Sequence, residues 1–251
     1  MTMNRTNDAA GWQKCRALLF DKDGTIINFR LLWLGWCREV VQTLGPGYGS
    51  AEVEKSLSAW GVDLALGSID PGGLLAIGSR QDLQQSLAEK LMEESRLPEE
   101  KMRSDLSGAI EQAYDAVEKK GLVQPIEGVS AVITELYRQG YKLAIVTTDD
   151  TQKAEDNLKM IGLDRYFQVV LGCDRVVHCK PAPDLVLEAC RQLDLSPGEA
   201  AVIGDTVADM KMSKAAGAAF SLAVASGVTT PGRLSEFADM VIESVAFMVS
   251  R

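Results

Sequence analysis

Five times along this chain a short apolar run gives way abruptly to polar residues, and that repeated pattern limits the fold more than any other feature. Residues 16–20 meet Asp21-Lys22-Asp23-Gly24-Thr25, and residues 141–146 meet Thr147-Thr148-Asp149-Asp150. Residues 167–171 form a third run, residues 200–203 end in Gly204-Asp205-Thr206, and residues 218–225 are the fifth. Runs this short, bounded by turn residues, read as buried strands. Between them, apolar side chains fall at helical spacing: Val129, Val132, Ile133 and Leu136, then Leu185, Val186, Ala189, Cys190 and Leu193. Strands alternating with helices predict an α/β fold, a parallel sheet covered by helices on both faces. Such sheets bind ligands beyond the carboxyl ends of their strands, where the polar clusters sit.

Residues 28 to about 124 break the alternation. Within them, residues 31–44, 51–60 and 81–94 read as amphipathic helices with solvated charged faces, with Ser50 and Ser79 near two of their starts. A helical insert that follows the first strand and returns at Pro125 reads as a cap domain on two linkers. The expected division is therefore a core of 1–27 and 125–251 and a cap of 28–124. Residues 68–78, with Pro71-Gly72-Gly73, read as a turn or irregular crossing. Gly45, Gly47 and Gly49 are spaced only loosely like a dinucleotide-binding loop and follow a helix, so they read as a plain loop.

Composition bears on partners. A formal charge of −9 gives no bulk support for binding nucleic acid or an anionic membrane. A phosphorylated ligand would then need local cations or a metal. No apolar stretch approaches the ~18 residues of a membrane span, and residues 1–14 lack the apolar segment of a secretory signal. Five cysteines without a C-x-x-C pair, an odd number, read as reduced thiols in a cytoplasmic protein. Cys173, His178 and Cys179 lack a fourth metal ligand at sensible spacing.

Four pieces at strand ends carry coherent chemistry: Asp21-x-Asp23-Gly24-Thr25, Thr147, Lys180-Pro181, and Gly204-Asp205 with Asp209. Two acids spaced i, i+2 can diverge in role as the chain turns at Gly24. One carboxylate can attack phosphorus while the other carries a proton to and from the leaving oxygen. Phosphoryl transfer asks mainly for positioning and charge neutralisation. A phosphate beside Asp21, Asp23 and Asp205 would be repelled, at ~4 kcal/mol for one like-charge pair near 4 Å and an effective dielectric of 20. Lys180 and Mg²⁺, which suits a hard, oxygen-only ligand set, would reverse that sign. Thr147 can donate its hydroxyl to a phosphoryl oxygen. Taken singly each piece has an ordinary reading: Asp149 or Asp150 as a helix N-cap, Lys180 as surface, Asp209 as a solvated carboxylate. Their order and joint context are far more specific.

At these residues the sequence resembles the haloacid dehalogenase superfamily, in particular its phosphoglycolate-phosphatase-like branch. The family's D-x-D-G-T is matched by Asp21 to Thr25, its strand-ending Thr or Ser by Thr147, its Lys by Lys180, and its G-D-x-x-x-D by Gly204 to Asp209. The resemblance covers about residues 15–27 and 125–230. It implies a Rossmann-like core with an all-helical cap at the first (C1-type) position. Asp21 would be the nucleophile, Asp23 the general acid/base, and Lys180 a further catalytic group. Gly24, Thr147, Thr148 and Lys180 would bind phosphate, and Asp21, the Asp23 carbonyl, Asp205 and Asp209 would hold or support Mg²⁺. Two residues depart from the pattern: Lys22 replaces a commonly apolar residue, and Thr148 stands where the branch often has Asn. Similar dehalogenases and phosphonatases lack a carboxylate at the place of Asp23, so its presence points to phosphate monoesters.

The expected activity is hydrolysis of a small phosphorylated metabolite, such as phosphoglycolate or a sugar phosphate. A β-phosphoglucomutase-like phosphotransferase uses the same four motifs. A phospho-acceptor signalling module also combines Asp, Thr and Lys on a parallel sheet, but receivers are about half this length and the insert is foreign to them. Arg30, Trp33 and Arg80 in the cap, with Arg38, are candidates for substrate contact, against packing for Trp33 and solvated surface for the arginines. The motifs are equally compatible with a monomer and a homodimer.

Overall fold

The structure, a computed structural model, describes residues 11–78, 80–94 and 99–249, without the side chains of Arg80, Gln81, Glu93, Glu94 and Glu99. The chain opens with β1 (Ala17–Phe20), then runs through α1 (Phe29–Tyr48), α2 (Ser50–Leu57), β2 (Val62–Asp63), β3 (Ser68–Ile69), α3 (Leu74–Ile77), α4 (Arg80–Glu94) and α5 (Glu99–Lys119). It continues with α6 (Val129–Arg138), β4 (Lys142–Val146), α7 (Thr151–Met160), β5 (Val169–Leu171) and α8 (Asp184–Gln192). The last elements are β6 (Ala200–Gly204), α9 (Val207–Ala216), β7 (Phe220–Val224), α10 (Pro231–Leu234) and β8 (Met240–Ile242). Contacts divide the chain into two compact units, Met1–Ile27 with Pro125–Arg251, and Asn28–Gln124.

In the first unit six strands pair in the order β5-β4-β1-β6-β7-β8, every neighbour parallel. Ala17, Leu19, Ala144, Val146, Ala200 and Val202 share one buried face with Leu185, Val186, Ala189 and Cys190 of α8 and Met212 of α9. Leu18, Phe20, Leu143, Ile145, Ala201 and Ile203 are buried equally completely on the other. Burial on both faces is why these runs are continuously apolar instead of alternating. The chain leaves β1 first towards β4 and later towards β6, so β1 lies at the point where strand order reverses. Phe20 pairs with Ile145 on one side and Ile203 on the other, which brings the polar ends of the three strands nearly level.

One core strand escaped the sequence reading. β8 has three residues, all half-buried, between Asp239 and Glu243 at the sheet's edge, and a run so short and polar-flanked carries little hydrophobic signal. Cys15, Cys37 and Cys190 are free and buried. The chain turns between Cys173 and Cys179 and brings their Cα atoms to 5.2 Å, with the two sulfur atoms against each other. Among the described residues no helix is long and apolar enough to cross a membrane.

The second unit is built around aromatic rings. Trp36 stacks on Trp60 at 5.6 Å, Tyr114 lies 5.8 Å from Trp36, and the Trp36 Nε1–H donates to the Ile110 carbonyl at 3.3 Å. Trp36 projects from α1 and Tyr114 from α5, a helix absent from the sequence expectation. Met102, Leu106, Ala109, Ile110, Ala113, Tyr114 and Val117 form its buried stripe. At the start of α1 the Asn28 side chain caps the Leu31 N–H. The expected loop at Gly45–Gly49 is instead the last turn of α1, which runs through Pro46 and stops at Gly49, where φ is +83°. Packing along α5, with Tyr48 Oη donating to Asp105 Oδ2 at 2.8 Å, carries the helix past its local breakers. The crossing at 68–78 resolves into β3, paired antiparallel with β2, and α3. The helical insert thus includes a small two-stranded ladder. Ser50 begins α2 behind Gly49, which supplies no side-chain cap; Ser79 lies outside the described residues.

Candidate active site

Asp21 follows β1, Thr147 follows β4 and Asp205 follows β6, so the parallel sheet itself delivers three of the four pieces to one edge. Lys180 arrives on the long connection between β5 and α8 and closes the set. Its Nζ lies 2.5 Å from Asp21 Oδ1 and 2.7 Å from Asp209 Oδ1. Asp209 is held by the start of α9: Thr206 caps that helix, and its N–H and Oγ1–H both donate to Asp209 Oδ2, at 3.0 and 2.5 Å. With one oxygen on the cap and the other on Lys180, Asp209 is a fixed support for the lysine.

One carboxylate oxygen each from Asp21, Asp205 and Asp209 lies within 4.8 Å of the other two, and all three residues are buried. Burial pushes the Asp21 carboxyl up to about 7, against the pull of the Lys180 ammonium and with the added repulsion of Asp209 and Asp23. Burial also pushes Asp205 well above the carboxylate range, with Asp21 and Asp209 adding to it. For Lys180 burial acts against the charged form, but the carboxylates of Asp209 and Asp21 together outweigh it and hold the ammonium charged. Asp21 is raised first by burial and then by neighbouring carboxylates, in a cluster where three buried carboxylates face a single ammonium. A divalent cation would relieve that excess.

Asp205 is thinly satisfied. Its contacts from Thr25 Oγ1 and the Val228 N–H are long, at 3.5 and 3.4 Å. Two glycines keep space around it. A Cβ at Gly24, where φ is +85°, would stand 2.5 Å from Asp205 Oδ2, and one at Gly227 would stand 1.7 Å from it. The donor set is oxygen only, buried and in excess negative charge, which fits a hard divalent ion. Gly227 and Ser226, whose Oγ donates to the Gly24 carbonyl at 2.7 Å, were missed in the sequence. They follow an apolar run directly, as Asp21 and Thr147 do, and that position was the available signal.

The expected phosphate-binding residues divide by exposure. Thr147 is buried and its Oγ1 accepts from the Asp149 N–H at 3.2 Å, leaving the hydroxyl proton to donate elsewhere. Thr148 is exposed on the same loop. The helix-cap reading is corrected in part: Asp150 occupies the N-cap position of α7 without a side-chain cap bond, while Asp149 Oδ2 lies 3.2 Å from Lys22 Nζ. Arg30 and Trp33 belong to the second unit. Arg30 donates to the Gly67 carbonyl at 3.3 Å, and Trp33 packs on Phe29, Trp36 and Tyr114 with its buried Nε1–H lacking a hydrogen-bond partner. Arg38 is exposed on α1, and the Arg80 side chain lies outside the described residues.

An aspartate-rich edge of a Rossmann-like sheet, closed by one lysine, defines a class of enzyme. The sequence matches the haloacid dehalogenase-like hydrolases over residues 15–217, and the chain belongs to that family. It is 28% identical over 238 residues to the pyrophosphatase PpaX of Listeria monocytogenes, covering 94% of this chain and 96% of that one. Among solved structures, a predicted phosphoglycolate phosphatase from Haemophilus somnus has the same fold, with TM-score 0.70, 21% identity and coverage of 93% and 96% of the two chains. So does a β-phosphoglucomutase from Clostridium difficile, with TM-score 0.63, 17% identity and coverage of 92% of each chain.

Proposed function

We propose that the chain is a Mg²⁺-dependent phosphatase that hydrolyses a small phosphomonoester through a phosphorylated Asp21. The observation that carries this reading is Asp21 itself, a buried carboxylate at the end of the central strand, ion-paired to Lys180 and clustered with Asp205 and Asp209. In the first step an Asp21 carboxylate oxygen attacks phosphorus and the bond to the leaving oxygen breaks. Asp23 gives that oxygen its proton. In the second step Asp23 takes a proton from water as the water oxygen attacks phosphorus. The acyl–phosphate bond opens, returning Asp21 as a carboxylate and releasing phosphate.

Throughout, Lys180 neutralises charge beside Asp21, and Thr147 donates its hydroxyl to a phosphoryl oxygen. Asp21, Asp205 and the Asp23 carbonyl would hold Mg²⁺, with Asp209 supporting through Lys180; when bound, the ion supplies positive charge against the phosphoryl oxygens. In this reading the helical insert is a cap carrying specificity, with Arg30, Trp33 and Arg80 as its candidate contacts. The cytoplasm is the proposed compartment.

The test is phosphate release from an aryl phosphate, 2-phosphoglycolate, sugar phosphates and pyrophosphate, with Mg²⁺ and with a chelator. Pyrophosphate joins the panel because of the PpaX relatives. Metal-dependent release that disappears in Asp21→Asn is expected, and the best substrate names the class. Release surviving in Asp21→Asn sinks the reading. Conversion of glucose 1-phosphate to glucose 6-phosphate without net phosphate release would favour the mutase instead.

A further inference from the structure

Lys22 has no role in the mechanism above, yet it is a buried ammonium at the site. Its side chain is completely removed from solvent. Burial acts against its charge, but Asp23 and Asp149 together outweigh that cost and hold the ammonium protonated. Nζ lies 2.9 Å from Asp23 Oδ1, 3.2 Å from Asp149 Oδ2 and 2.8 Å from Asn157 Oδ1. An ammonium has three protons, and three acceptors stand at contact distance on three segments: the loop after β1, the loop after β4, and α7. Replacing a buried ion pair with apolar side chains is often neutral or stabilising, so stability alone is a weak reason for this arrangement. Fixed geometry is a better one.

We propose that Lys22 is a positioning residue for Asp23: by holding Oδ1 it fixes the orientation in which that carboxyl meets the leaving group and exchanges its proton. Asn157 and Asp149 fix the lysine in turn. The inference rests on Asp23 being the general acid of the proposed reaction. It has a consequence for substrates. An alkyl phosphate leaves as a strongly basic alkoxide unless protonated, so its hydrolysis depends on the aim of Asp23. An aryl phosphate leaves as a stabilised phenolate and depends on it much less. Lys22 therefore matters most for unactivated esters.

The experiment compares kcat/KM, which reports the steps up to transfer of the phosphoryl group to Asp21, for p-nitrophenyl phosphate and for the best alkyl phosphate of the panel, in wild type, Asp23→Asn, Lys22→Met and Asn157→Leu. Because Lys22→Met strands two carboxylates at a buried position, Asn157→Leu is the gentler probe. It keeps all three charges, and the Asn157 Nδ2 it removes has no hydrogen-bond partner. In protein with a wild-type melting curve, Lys22→Met should lower kcat/KM for the alkyl ester by about 10–100-fold, the scale of a misplaced catalytic group. The aryl ester should lose no more than about threefold. Asn157→Leu should give the same split at smaller size. Parallel losses on both substrates, or no loss in either variant, overturn the positioning role while a selective Asp23→Asn leaves the general acid standing. If Asp23→Asn itself fails to separate the two substrates, the general-acid reading falls and the role of Lys22 with it.

Discussion

The core and the insert both bury a continuous apolar interior, but they keep buried charge very differently. Among the described residues the core encloses Asp21, Lys22, Asp205 and Asp209, with Asp21 and Asp209 paired to Lys180 and Lys22 paired to Asp23 and Asp149. Among its described residues the insert encloses only one charged side chain, Glu39, which pairs with Lys120 at 2.5 Å. Its interior is instead the stack of Trp36 and Trp60 with Tyr114. Uncompensated buried charge works against stability and persists where something else requires it. The contrast separates a unit organised for chemistry from one organised by packing.

The comparison breaks most visibly at Asp21. Asp21→Asn keeps the size of the side chain, removes the proposed nucleophile, and should lower phosphate release by about 1,000-fold or more while leaving the melting curve near wild type. A mild effect on rate would move the chemistry away from the charged cluster. In the insert the opposite pattern is expected. Trp36→Ala should cost about 3–5 kcal/mol of stability, read by urea denaturation followed by tryptophan fluorescence. Three of the four tryptophans, Trp33, Trp36 and Trp60, lie in this unit, so the signal reports it directly. A loss below about 1 kcal/mol would mean that the aromatic stack is not what holds the unit.

Gly227→Ala sharpens the comparison from the core side. The added methyl would stand 1.7 Å from Asp205 Oδ2 and must displace that carboxylate. Apparent Mg²⁺ affinity in the phosphatase assay should drop by about 10–100-fold, as for other changes to the surroundings of metal ligands; unchanged metal dependence would remove Asp205 from the site. The smallest effect concerns pH. In metal-free protein the native Asp21 holds a proton that the unfolded chain releases, over the window from 3.8 to about 7. The native state therefore binds more protons there, and this group's stabilisation is lost as pH rises through the window. Melting temperature with chelator should fall by a few degrees across it, and Mg²⁺ should flatten the fall because the ion would bind the deprotonated carboxylate. A metal-free melting temperature that rises through the window would count against the raised Asp21.

Much of the core was legible because its signals are local. A buried parallel strand is an unbroken apolar run, and the residue after it is already a candidate at the ligand-binding edge. Asp21, Thr147 and Asp205 could be picked out by that rule alone. The insert was less legible. Gly45 and Pro46 look like breakers, yet α1 passes through them because α5 packs alongside, and α5 itself was overlooked although Met102, Leu106, Ile110, Tyr114 and Val117 mark its stripe. β8 was missed for a different reason: three half-buried residues carry almost no periodicity.

By itself the sequence determined the α/β alternation, the place of the insert, and the chemical groups available at the strand ends, because periodicity and residue type act over a few neighbouring positions. Only the tertiary structure decided which charges meet. It paired Lys180 with Asp21 across 159 residues and with Asp209, set Gly227 against Asp205, and enclosed Lys22 between Asp23, Asp149 and Asn157. Those contacts depend on strand order and on burial, which no local stretch encodes. Strand order brings distant segments to one edge, and burial sets how strongly their charges act on one another.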